Sequence, residues 1–162
     1  VAFDPVGVLW ALADEGARHV MIGGMAATVH GSPTVTGDLD ICPERSRANL
    51  DRLATVLQNL HARLRGEPAD VPFLLDGATL VAGDSFTFTT DLGDVDVLGT
   101  PSGTGGYDDL RAGADEVVID GLVVQVASLD DLMRMKRAAG RPKDRIELEV
   151  LGALRDERDG AS

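Results

Sequence analysis

The sequence predicts an α+β (mixed α/β) domain, a central mixed β-sheet flanked by helices. Three observations predict it. Short apolar runs of strand length, "RHVMIGG" and "GDLDICP", lie between stretches of helical spacing. A middle section alternates apolar and polar residues in several short runs separated by turn signals. The chain then closes on two amphipathic helical stretches. Helices before and after a set of strands imply helices packed on a sheet.

Each element has a local reason. Asp4-Pro5 reads as an N-cap followed by proline at the first helical position. Val8, Leu9, Leu12 and Ala13 keep helical spacing up to Gly16. "RHVMIGG" is a buried strand ending in glycines, and "MAATVHG" is a short helix closed by Gly31. "GDLDICP" alternates and stops at a proline, so it is a second strand. "ERSRANLDRLATVLQNLHARL" reads as one long amphipathic helix with Leu50, Leu53, Val56, Leu57, Leu60 and Leu64 on its core side. Residues 66 to 72 are a loop. "SFTFTT" and "DVDVLG" are strands, and "PSGTGG" is a flexible loop. "EVVIDGLVVQVAS" is a hairpin about Asp120-Gly121. Ser128 caps a helix that ends at Gly140, and Pro142 starts the last one. The order is α-β-α-β-α, then strands, then α-α.

The 162 residues carry no internal repeat and no domain-sized linker, so one domain spanning 1-162 is expected. Val1 in place of Met reads as a trimmed or partial start. No apolar run reaches the roughly 18 residues of a membrane span. One cysteine, Cys42, excludes an internal disulfide and fits a reducing, cytoplasmic setting. The net charge of −12 counts against general nucleic-acid binding. Six of the fifteen basic residues nevertheless fall between Arg134 and Arg145. That patch is either a solvated helix end or a place for one anionic ligand.

The chemistry concentrates in two acidic strands. In "GDLDIC", Leu39 and Ile41 point to a core, and Asp38 and Asp40 point together to the other face. In "LGDVDVLG", Val95 and Val97 face one way, Asp94 and Asp96 the other. Each pair could be a wet strand end. If the strands are neighbours, three or four carboxylates converge, and hard divalent cations want such oxygen ligands. Two such ions about 3.5–4 Å apart can promote phosphoryl transfer. Asp96, between two valines, is the better third ligand; Asp94 is either a ligand or an exposed edge acid.

Other residues fit that picture more weakly. Gly23-Gly24 sits where a strand turns into a helix, and free N–H groups there attract phosphate. Lys136 continues the stripe of Leu129, Leu132 and Met133. It either snorkels to water or reaches the acids to meet a triphosphate. Asp144 opens the last helix, where its simplest role is a favourable charge at the N-terminus. His30 either lines the site or is structural.

Taken together, "GGMAATVHGSPTVTGDLDI" resembles the opening signature of the nucleotidyltransferase superfamily that includes DNA polymerase β. That signature is a Gly-Gly or Gly-Ser turn, a short helix, then D-x-D, with a third acid on a later strand. Gly23, Gly24, Asp38, Asp40 and Asp96 match it. The tail "SLDDLMRMKRAAGRPKDRIELEVL" is similar to that of small bacterial AbiEii-like toxin nucleotidyltransferases, in which a helical lysine and a later aspartate join the active site. Lys136 and Asp144 match those places, and the resemblance spans residues 18 to 152. Gly24 departs from the serine many members carry.

The resemblance implies the nucleotidyltransferase fold. It implies an enzyme that moves an NMP from an NTP to an acceptor hydroxyl, with two Mg²⁺ ions on Asp38, Asp40 and Asp96. Gly23, Gly24 and Lys136 would bind the triphosphate, and Asp144 would complete the catalytic set. The acceptor stays open among tRNA, a protein and a small molecule. An antitoxin partner rests on the subgroup alone. Two alternatives are a non-catalytic nucleotide- or partner-binding module on the same fold and a two-metal phosphohydrolase.

Overall fold

Apolar side chains on short central strands set the frame of the molecule. The computed structural model describes residues 2–68 and 70–161. Val1, which carried the reading of a trimmed start, and Ala69 of the expected loop lie outside the described residues.

Helix α1 (Pro5–Glu15) is capped by Asp4, whose side chain accepts from the Gly7 N–H at 2.9 Å. It stops at Gly16, whose φ of 73° needs glycine's freedom. Strand β1 (His19–Ile22) follows, and helix α2 (Gly23–Val29) starts directly from it. That helix begins two residues before the expected "MAATVHG" segment, at the first glycine itself. Strand β2 (Asp38–Pro43) matches its expected position.

Helix α3 (Arg47–Asn59) starts where the Ser46 hydroxyl accepts from the Asn49 N–H. It is shorter than the sequence predicts. His61 takes a left-handed φ of 54° and turns the chain out of the helix. Arg63–Leu64 then form strand β3 and pair with Thr89 and Phe88. Leu64 thus packs from a strand, not from the helix. Its backbone finds partners on an edge that would otherwise be open.

Helix α4 (Gly77–Ala82), capped by Asp76, was not expected from the sequence, nor was helix α5 (Tyr107–Gly113). Between them lie strands β4 (Ser85–Thr90) and β5 (Gly93–Leu98). Strands β6 (Asp115–Ile119) and β7 (Leu122–Val126) form the expected hairpin. Asp120 and Gly121 both have positive φ, 50° and 83°, as its two-residue turn requires. Helix α6 (Leu129–Ala139) is capped by Ser128 and ends at Gly140, and α7 (Pro142–Gly160) packs against it.

The seven strands of the described residues join one mixed sheet in the order β3-β4-β5-β2-β1-β7-β6. Strands β2 and β5 are parallel neighbours, as are β1 and β7, and the other pairs are antiparallel. The α+β architecture expected from the sequence is therefore the one observed. Leu39, Ile41, Val95, Val97 and Phe88 are at most 2% exposed, so the middle of the sheet is core. Phe73, Phe86 and Phe88 form a ring cluster at 6.0–6.3 Å between centroids. No helix among the described residues is long and apolar enough to cross a membrane.

One buried polar residue ties the start of the sheet together. The Asn49 side chain accepts from the Arg18 N–H at 2.7 Å and donates to the carbonyls of Arg18 and Glu44 at 2.9 and 2.8 Å. It therefore pins the entrance of β1 to the exit of β2. Asn49→Ala strands these buried backbone groups, so unfolding in urea should register a loss of more than about 2 kcal/mol.

Candidate active site

The site begins with a register. In the parallel pair of β2 and β5, Asp38 lies opposite Asp94 and Asp40 opposite Asp96. Side chains alternate along a strand, so all four acids project from one face. Leu39, Ile41, Val95 and Val97 fill the core on the other. Ligand-capable oxygens of Asp38, Asp40 and Asp96 lie within 4.8 Å of one another. Among the described residues no other group of three or more acids, histidines or cysteines is gathered this way.

Proximity of like charges and burial have a cost. Burial, then the charges of Asp38 and Asp96, pushes the Asp40 carboxyl up to about 7, although Lys136 pulls the other way. Burial also raises Asp96, against the opposing pull of Arg65. The buried Oδ1 of Asp40 has no hydrogen-bond partner. A buried, unpartnered carboxylate oxygen beside two further acids fits a bound divalent cation, which would supply the missing partner.

The glycines are shaped around these acids. Gly23 has a φ of 70°, and a Cβ there would overlap the Asp40 carboxylate. A Cβ on Gly24 would come to 2.9 Å from the Thr36 side chain, whose hydroxyl donates to Asp38 Oδ1 at 3.1 Å. The departure from serine at Gly24 thus has a local reason: Thr36 fills that space.

The acids open into a cleft of 610 Å³ that Lys136, Arg141, Lys143 and Glu147 also line. Lys136 therefore does share a cleft with the three acids. Its ammonium lies 3.4 Å from Asp144 Oδ1 and is paired with Glu147. Asp144 is fully buried and does not line the cleft. Arg141, first of all, and also Lys136, hold its carboxyl well below the usual carboxylate range. The Arg141 Nε and Nη2 donate to it at 2.7 and 3.1 Å. Asp144 is thus in place to orient two cleft-lining cations, more than the helix-end charge of the simplest sequence reading.

The basic patch is partly spent elsewhere. Arg134 pairs with Asp109 and Asp131, outside the cleft. His30 Nε2–H donates to the Ala127 carbonyl at 2.8 Å, and His30 does not line the cleft. Three participants were missed in the sequence: Arg65, Thr36 and Glu147. Arg65 reaches Asp94 and Asp96 at 3.2 and 2.7 Å. The overlong helix expected through Leu64 hid it, and the alternation of Arg63, Leu64 and Arg65 before Gly66 was its available signal.

No protein-family model and no curated protein matches the chain. Solved structures do. The lincosamide antibiotic adenylyltransferase LnuA, lincomycin-bound, matches with a TM-score of 0.61 at 12% identity, over 95% of this chain and 99% of its own. ANT(2″)-Ia in complex with adenylyl-2″-tobramycin matches at 0.56 and 15%, over 96% and 95%. The solution structure of the antibiotic-resistance factor ANT(2″)-Ia matches at 0.53 and 16%, over 95% and 88%. At these identities the likeness is one of fold: the chain has the fold of these structures, one of them an adenylyltransferase.

Two outcomes are expected. Asp40 has its carboxyl raised in the folded chain, so its contribution to stability is full below about pH 4 and is lost as pH rises through about 7. In EDTA, Asp40→Asn should melt with the wild type near pH 4 and above it near pH 8. Gly23→Ala should displace the Asp40 carboxylate, so any rise in melting temperature that a divalent cation gives the wild type should be lost in the variant.

Proposed function

We propose that residues 1-162 form one nucleotidyltransferase domain that moves an NMP from an NTP to an acceptor hydroxyl. The convergence of Asp38, Asp40 and Asp96 on one face of the β2–β5 pair carries the reading. Likeness to adenylyltransferase structures over nearly the whole chain supports it.

Asp38, Asp40 and Asp96 would hold divalent cations, two Mg²⁺ by the resemblance. Bound there, the metal would neutralise charge on the α-phosphate and on the attacking oxygen. The chain's own groups do the positioning. The turn at Gly23 and Gly24 lets the triphosphate approach the backbone closely. Lys136, oriented by Asp144 and Glu147, offsets part of its charge, and Arg141 lines the same cleft. The acceptor oxygen bonds to the α-phosphorus as the bond to the bridging oxygen breaks, and pyrophosphate leaves. We assign the acceptor's proton to Asp96. Positioning and charge stabilisation account for most of such catalysis.

The acceptor best supported is a small molecule. Two of the structural neighbours carry an antibiotic or its adenylylated form. A net charge of −12 opposes a polyanionic tRNA. The AbiEii-like resemblance of the tail at Lys136 and Asp144 supports the finer alternative, a toxin with an antitoxin partner and a tRNA or protein acceptor.

Incubation with each α-labelled NTP, Mg²⁺ and separate pools of small hydroxyl compounds, proteins and tRNA tests this. Label should move to the small-molecule pool with release of pyrophosphate. Asp38→Ala/Asp40→Ala should abolish transfer, and Lys136→Ala should slow it by about 10²-fold or more. Transfer to no pool, or equal transfer by the double variant, contradicts the proposal.

A further inference from the structure

The ladder carries a fourth carboxylate, Asp94, which stands opposite Asp38 on the same face as the other three. Geometry of the strands alone would let it join them. It is held by other partners instead. The Thr89 hydroxyl donates to Oδ1 at 3.2 Å, and Arg65 Nε lies at ion-pair distance, 3.2 Å, from Oδ2 without hydrogen-bonding it.

The same guanidinium reaches across to Asp96, with Nη2 at 2.7 Å from Oδ1. Nη2 also donates to the Phe88 carbonyl at 2.9 Å. Arg65 is built into the sheet edge, because its own N–H donates to the Thr87 carbonyl at 2.9 Å and extends the ladder of β3 on β4. Its side chain is only 31% exposed. A planar, permanently charged fork can span two carboxylates in this way, and a lysine cannot. Asp96, held through one oxygen, keeps a second oxygen for another partner.

We propose that Arg65 sets the cation selectivity of this site: it withholds Asp94 and fixes Asp96, so that three carboxylates are offered in place of four. The inference rests on reading the acids as a divalent-cation site. Mg²⁺ is small, and a few carboxylates with substrate phosphates suffice for it. Ca²⁺ gathers about 6–8 oxygens in flexible geometry, so a released fourth carboxylate favours it. Arg65 is a positioning residue, acting through Asp94 and Asp96 and touching no substrate.

Isothermal titration with Mg²⁺ and with Ca²⁺, each alone, tests the idea on wild type, Arg65→Ala, Arg65→Lys, Asp94→Asn and Arg65→Ala/Asp94→Asn. Thermal melts establish that each variant is folded. Arg65→Ala should shift the ratio of affinities toward Ca²⁺ by about tenfold, in the range that loss of a partner behind the ligands produces. Adding Asp94→Asn should reverse the shift, Asp94→Asn alone should leave the wild-type ratio, and Arg65→Lys should fall between. A folded Arg65→Ala with the wild-type ratio overturns the inference alone. So does Asp94→Asn that no longer binds Mg²⁺, which decides the matter even where Arg65→Ala does not fold. A wild type that binds neither ion overturns the metal reading and this inference with it.

Discussion

The parallel pairing of β2 with β5 is the constraint on which the rest of the molecule depends. It sets Asp40 beside Asp96 and Asp38 beside Asp94, residue for residue. The register is locked from behind, because Leu39, Ile41, Val95 and Val97 are buried. A slip of one residue in either strand would turn its two carboxylates into the core. Hydrophobic burial on one face therefore forces electrostatic repulsion on the other. Asp40, driven toward its neutral form first by burial and then by the charges of Asp38 and Asp96, registers both.

Much of the surrounding chain answers to those acids. Gly23 leaves the room the Asp40 carboxylate occupies, and Thr36 bonds Asp38. Arg65 braces the β5 side of the ladder. In the same cleft, α6 and α7 place Lys136 and Arg141, both anchored on the buried Asp144. The cleft thus brings carboxylates and cations together on one surface.

The acidic strands were legible because their period is local. Alternation in "DLDI" and "DVDV" separates core from cleft with no knowledge of neighbours. Their adjacency was not legible, since pairing between residues more than fifty positions apart is a property of the folded sheet. The helix and strand that carry Gly23 and Gly24 were read nearly in place, as was the hairpin at Asp120-Gly121. The end of α3 was misplaced because the leucine spacing runs on past Asn59, while the left-handed turn at His61 has no apolar signature. That same turn delivers β3 and Arg65, so the misplaced helix end concealed the missing cation as well. Asp144 was singled out only by resemblance, and its burial behind Lys136 and Arg141 follows from the packing of α6 on α7.

The most direct test is to soak crystals with Mn²⁺ and a non-hydrolysable NTP analogue and to measure anomalous diffraction. The account predicts anomalous peaks among the carboxylates of Asp38, Asp40 and Asp96, with the triphosphate running from them past Gly23 toward Lys136. Mn²⁺ or nucleotide bound elsewhere, with these three carboxylates left without metal, would contradict it.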